Sequence, residues 1–96
     1  VRTEGDRVVS QEVQIVNRLG LHARAAAKFV HLAGRFESRI LVARDSQEVD
    51  GKSILGVLLL AATQGTRLRI SATGSDEGDA LRALVEFVAR RFGEDS

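Results

Sequence analysis

The residue whose type and setting could do chemistry is His22, in the run Asn17-Arg18-Leu19-Gly20-Leu21-His22-Ala23-Arg24-Ala25-Ala26. A strand-like segment ends just before this run and a helix-like segment begins inside it. The start of a helix carries unpaired backbone N–H groups and the positive end of the helix dipole, so it favours anions. Arg24, two residues on, adds a fixed positive charge. An imidazole in that position can accept a phosphoryl group and have the incoming charge met at once by guanidinium and backbone donors. The plainer reading is an ordinary helix cap, although His is not among the favoured cap residues.

Other chemistries find less support. Gly51-Lys52-Ser53 looks like the end of a phosphate-binding P-loop, but that motif needs a Gly five residues earlier, where the chain has Ser46. It also follows a short polar segment rather than a buried parallel strand. His22 and His31 do not have the i, i+4 spacing of a helical zinc pair, and His31 reads as a solvated surface residue. There is no Cys, which removes disulfides, thiolate catalysis and Cys-ligated metals. The carboxylates are scattered, so paired acid–base chemistry has no candidate. No metal, no cofactor and no complete small-molecule active site are expected.

The bulk composition narrows the partners. Fourteen basic and 13 acidic residues nearly cancel, leaving a net charge of +1. That balance, with four Phe as the only aromatics, argues against nucleic-acid binding by electrostatics or base stacking. Arg67 and Arg69 on the wet face of a strand give an RNA-binding reading only slight support. The longest apolar run, Val57 to Ala62, is too short to span a membrane, and no signal peptide opens the chain. A cytoplasmic protein is the expectation. The chain starts at Val1 and has no Met, so its native start is expected to be trimmed or longer.

The elements that must position His22 follow from periodicity. Residues 1–7 read as a flexible leader. Val9, Val13 and Ile15 alternate with polar residues, which predicts a half-buried strand over Val8 to Val16. Ala23 to Ala33 reads as a helix with Ala26, Phe29, Val30 and Ala33 inward and Gly34 as its stop. Ser38 to Arg44 and Gln47 to Asp50 make a hairpin about Asp45-Ser46. A short helix runs from Ile54 to about Leu60. Arg67 to Thr73 alternates most cleanly, with Leu68, Ile70 and Ala72 inward. A last helix opens at Ser75-Asp76-Glu77, carries Leu81, Leu84, Val85, Val88 and Phe92 on its apolar stripe, and ends at Gly93. Residues 94–96 read as a frayed tail. The order β-α-β-β-α-β-α implies an α+β fold. It is an open-faced two-layer β-sandwich whose four-stranded, mostly antiparallel sheet is covered on one face by three helices. One domain over 8–93 is expected.

The short helix is apolar nearly all round. Either loops cover it, or Ile54, Leu55 and Leu58 form an exposed patch that marks a partner surface. Ser53, just before it, is an N-cap candidate.

Three blocks of the chain resemble one family in order and spacing. Gly20-Leu21-His22-Ala23-Arg24 with Ala26-Ala27 and Phe29-Val30 is similar to the active-site segment of HPr, the histidine-containing phosphocarriers of the bacterial phosphotransferase system. Gly51-Lys52-Ser53-Ile54-Leu55-Gly56-Val57 resembles the regulatory-serine segment of that family. Thr63-Gln64-Gly65-Thr66 through Gly74 resembles its last strand and flanking turns. The resemblance covers about Val8 to Phe92.

It implies a phosphoryl carrier rather than an enzyme with turnover of its own. His22 would accept the group on Nδ1 from phosphorylated Enzyme I, which takes it from phosphoenolpyruvate, and pass it to an EIIA-type protein. Arg24 would neutralise the phosphoryl charge. Ser53 would be the target of a serine kinase/phosphorylase. Its phosphate would disturb docking at Ile54, Leu55 and Leu58 rather than unfold the carrier. Transient docking favours a monomer. The family usually has Pro after the arginine, where this chain has Ala25; phosphoacceptance should survive, and the exchange points to a regulatory branch such as the nitrogen-related phosphotransferase system. The alternative is a regulatory binding module that acts through the helix 54–60, with His22 not phosphorylated.

Overall fold

The computed structural model describes residues 8–96; the leader expected over 1–7 lies outside them. The alternating segments become four strands, β1 (Val9–Gln14), β2 (Arg39–Arg44), β3 (Gln47–Asp50) and β4 (Arg67–Thr73). They join in one antiparallel sheet of order β1-β4-β2-β3. In β4, Leu68, Ile70 and Ala72 are buried while Arg67 and Arg69 are exposed. Val42 of β2 lies opposite Ile70, and Ile40 opposite Ala72. A slip of one residue would turn that whole apolar row to water, which is what fixes the register.

Three helices cover the apolar face: α1 (Ala23–Ala33), α2 (Ile54–Leu59) and α3 (Glu77–Ala89). Helix α1 buries Ala25, Ala26, Phe29 and Ala33, with Val30 half-buried against the core. The small alanines let the helix lie close to the elements beneath it. Helix α3 buries Ala80, Leu84 and Val88. These side chains meet Ile15, Ile40, Ile70 and Phe92 in one core. No helix among the described residues is long and apolar enough to cross a membrane.

The C-terminal end differs from the expectation. Helix α3 stops at Ala89, and the chain then takes left-handed backbone at Arg91 (φ 61°) and Phe92 (φ 54°) to form a 3₁₀ turn over Arg91–Gly93. Phe92 is fully buried, but it reaches the core from that turn and not from the helical stripe. The tail beyond it, read as frayed, is hydrogen-bonded: the Arg18 N–H donates to the Ser96 backbone oxygen at 2.8 Å, and Glu94 is bonded through its side chain as described below.

Asp76, at the head of α3, does not cap its own helix. Its carboxylate accepts from the Ser38 hydroxyl at 2.5 Å, the Ser38 N–H at 2.9 Å and the Glu37 N–H at 2.9 Å, clasping the start of β2 to the start of α3. The Ser38 hydroxyl, and next the Glu37 N–H, hold the Asp76 carboxyl below its ordinary value of 3.8. A carboxylate with a depressed folded pKa stabilises the fold above the unfolded value and loses that contribution as pH falls through the folded one. The stability gap between the wild type and Asp76→Asn is therefore expected to be full near neutral pH and to narrow below 3.8. Urea titrations across the acid range check this; a gap that stays constant with pH removes the clasp from the account.

Candidate functional site

The end of β1 is held by the turn before β4: the Ile15 N–H donates to the Thr66 carbonyl at 2.9 Å and the Gly65 N–H to the Ile15 carbonyl at 2.7 Å. Asn17 follows and is fully buried. Its amide Nδ2 donates to the Gly20 carbonyl at 2.8 Å and to Glu94 Oε1 at 2.9 Å. Gly20 sits at φ +69°, and a Cβ there would lie 2.7 Å from the Ala62 carbonyl oxygen. Only glycine lets the chain cross so near the 62–63 backbone. The Leu21 N–H then bonds the Ala62 carbonyl at 2.8 Å, and His22 enters as the N-cap of α1.

His22 takes extended backbone (φ −76°, ψ 176°) and makes no side-chain cap bond. Its backbone carbonyl accepts from the Ala26 N–H at 2.8 Å, leaving the ring free for other work. The ring is a quarter exposed, and its Nε2 is hydrogen-bonded to Glu94 Oε2. The Arg24 guanidinium lies 3.9 Å from the same carboxylate oxygen and is 68% exposed, so it is free to move. The Asn17 amide holds the Glu94 carboxyl below its usual range; burial opposes this, and the His22 ring and Arg24 assist it. Ala25 is buried in the first turn of α1, which begins at Ala23.

The structure thus brings His22 and Arg24 to one helix start, as their spacing requires, and adds two residues that sequence reasoning missed. Glu94 and Asn17 gave no local signal, since Glu94 stands 72 residues from His22 and 77 from Asn17.

Ser53 lies apart from this cluster as the N-cap of α2, its Oγ accepting from the Gly56 N–H at 3.0 Å. Ile54 (44%) and Leu55 (76%) are exposed, as the patch reading requires. Leu58 is not: it is half-buried against the core, and Leu59 (68% exposed) stands in the patch in its place. Lys52, which fitted the regulatory reading, donates its ammonium to the Phe36 carbonyl at 2.7 Å and so ties the α2 entry to the end of α1. Ser53→Ala is expected to cost about 1 kcal/mol through loss of the cap. Equilibrium denaturation measures it, and an unchanged midpoint would mean that the cap bond contributes nothing.

Comparison with known proteins places this geometry. The family model "PTS HPr component phosphorylation site" matches residues 9–90. The phosphocarrier protein HPr of Pseudomonas aeruginosa is 52% identical over 84 residues, covering 86% of this chain and 93% of the relative. The crystal structure of HPr-C-His from Thermoanaerobacter tengcongensis superposes with a TM-score of 0.88 at 42% identity, covering 92% of this chain and 99% of that one. An HPr dimer from the same organism matches with a TM-score of 0.73 at 45% identity, covering 85% of this chain and 94% of that one. A four-stranded antiparallel sheet under three helices, a family model spanning most of the sequence and relatives of this similarity lead to one conclusion: the chain belongs to the HPr family, the phosphocarrier proteins of the phosphotransferase system.

Proposed function

We propose that His22 is the phosphoacceptor, taking a phosphoryl group from phosphorylated Enzyme I and passing it to an EIIA-type protein, with Arg24 as the mobile counter-charge. The observation that carries this reading is the placement of a part-exposed imidazole, free of any capping duty, at the start of α1 beside an exposed guanidinium. The first-turn N–H groups and the helix dipole favour the phosphoryl charge. A helix end and one mobile arginine bind it only moderately, and a carrier must be able to give its cargo away.

Docking falls naturally on the exposed apolar residues Ile54, Leu55 and Leu59 of α2. Ser53 stands at their edge. A phosphate added there by a serine kinase would sit at the positive end of its own helix, which it would not disrupt. The same charge beside the apolar patch would oppose an acidic partner, so Ser53 phosphorylation should slow transfer to His22 without unfolding the carrier. A monomer suits such transient contacts.

Labelled phosphoenolpyruvate with a purified Enzyme I tests the relay. Acid-labile, base-stable label on the wild type is the expected result. A wild type that stays unlabelled with several Enzyme I paralogues would remove the carrier role and leave the α2 surface as the place to look for function.

A further inference from the structure

We propose that Glu94 is a positioning residue for the relay: its carboxylate keeps the His22 proton on Nε2, which leaves Nδ1 as the accepting atom, and it balances the charge the ring carries while phosphorylated. This rests on His22 being the phosphoacceptor.

An ionised carboxylate can only accept hydrogen bonds. Glu94 Oε2 faces His22 Nε2, so Nε2 must be the donor. A neutral imidazole has a single N–H, and which nitrogen carries it is set by the bond the other partner makes. Nδ1 is therefore left with a free lone pair. The contact is also not a loose surface pairing. The Glu94 side chain is 11% exposed, and its second oxygen is held by the Asn17 amide, which is itself tied to the Gly20 carbonyl. A chain of bonds thus runs from the loop that carries His22, through Asn17 and Glu94, back to the ring. The depressed pKa of Glu94 agrees with a carboxylate that stays ionised across the working range.

The transfer balances without any proton changing place. The Nδ1 lone pair attacks the phosphorus of the donor's phosphohistidine. A new N–P bond forms as the donor's N–P bond breaks, and that electron pair returns to the donor ring. The phosphorylated His22 ring keeps its Nε2–H and bears a positive charge spread over both nitrogens, against which Glu94 sits. When the acceptor nitrogen attacks, the N–P pair returns to Nδ1 and the ring leaves neutral, in the tautomer in which it began. A carboxylate behind the imidazole of a hydrolase triad acts in the same way, by fixing the tautomer and stabilising the imidazolium without taking the proton. Arg24, 3.9 Å from the same Oε2, is left to turn toward the phosphoryl oxygens. Lys28 and Asp95 border the hollow that Arg24 and Glu94 also line.

The test is long-range ¹⁵N–¹H correlation of the histidine rings in the full chain, at a pH where His22 is neutral, alongside rates of acceptance from phosphorylated Enzyme I. The wild type is expected to show a single N–H tautomer at Nε2. Glu94→Ala should give a mixture and accept about 10- to 100-fold more slowly, the scale of a lost charged hydrogen bond. Glu94→Gln keeps a carbonyl acceptor without the charge; it should accept more slowly than the wild type and faster than Glu94→Ala. Thermal unfolding of each variant establishes that the fold is kept. A mixed or Nδ1–H ring in the wild type overturns the proposal, as does an unchanged tautomer or an unchanged rate in Glu94→Ala. The ring spectrum needs no Enzyme I, so the two readings separate. A labelled wild type with a mixed ring overturns the Glu94 role alone. A wild type with the Nε2–H tautomer that no Enzyme I labels overturns the carrier role, and with it this one.

Discussion

His22→Ala is expected to take up no label from phosphoenolpyruvate and Enzyme I under conditions that label the wild type, while its unfolding curve barely moves. The loss should be complete because the site holds no substitute nucleophile. Glu94 and Arg24 are charge partners, and the other histidine, His31, is exposed near the far end of α1. The small effect on stability follows from what the ring does not do. It makes no cap bond, and the α1 start is held through the His22 backbone carbonyl, which alanine also has. The ring's bond to Glu94 is lost, but Glu94 keeps its Asn17 amide at 2.9 Å and its approach to Arg24. The ring is a quarter exposed, so its removal opens the carboxylate to water, which takes up the lost bond and keeps the cost to about 1 kcal/mol. Label retained on the variant would move the phosphoacceptor elsewhere. A loss of label with collapse of the fold would show that the ring is structural.

The legible part of this protein was the part written in local pattern. Strict alternation gave β4, and the spacing of Phe29, Val30 and Ala33 against Ala26 gave α1, because each period has only one geometry that buries its apolar face. His22 and Arg24 were visible for the same reason: two residues at a helix start are placed by the helix itself. Two things were hidden. The end of α3 was misplaced because Arg91 and Phe92 adopt left-handed backbone, which no propensity assigns to such residues; the apolar spacing of Phe92 fitted a helix that had already ended. In α2 the apolar residues run nearly all round, so periodicity could not tell Leu58 from Leu59, and the tertiary contacts of Leu58 decided the matter. The Glu94–Asn17 half of the site depends on where that misread turn delivers the tail, so missing the one entailed missing the other.

Phe92→Ala should therefore do damage in two places. The side chain is fully buried, stands edge-on to Phe87 with ring centroids 5.5 Å apart at 78°, and borders the same small core gap as Ile15, Leu21, Phe29 and Val88. Truncating a buried Phe costs about 3–5 kcal/mol, through lost transfer energy and the void left behind. A domain of this size has only about 5–15 kcal/mol of total stability, and each kcal/mol lowers the melting temperature by about 4–8 °C. The positive φ of 54° adds nothing to the difference, since alanine and phenylalanine both carry a Cβ and suffer the same crowding there. Phe92→Leu, which refills most of the void, should recover much of the loss. The second effect concerns the site. Glu94 lies two residues beyond Phe92, so the turn that presents its carboxylate to Asn17 and His22 is anchored by that one ring in the core. The folded fraction of Phe92→Ala should still label on His22, but with slower acceptance, and the rate should recover in Phe92→Leu in step with stability. A loss below about 1 kcal/mol on alanine substitution would mean that the tail is not anchored through the core. Full acceptance by a strongly destabilised variant would mean that the carrier does not depend on how the tail is held.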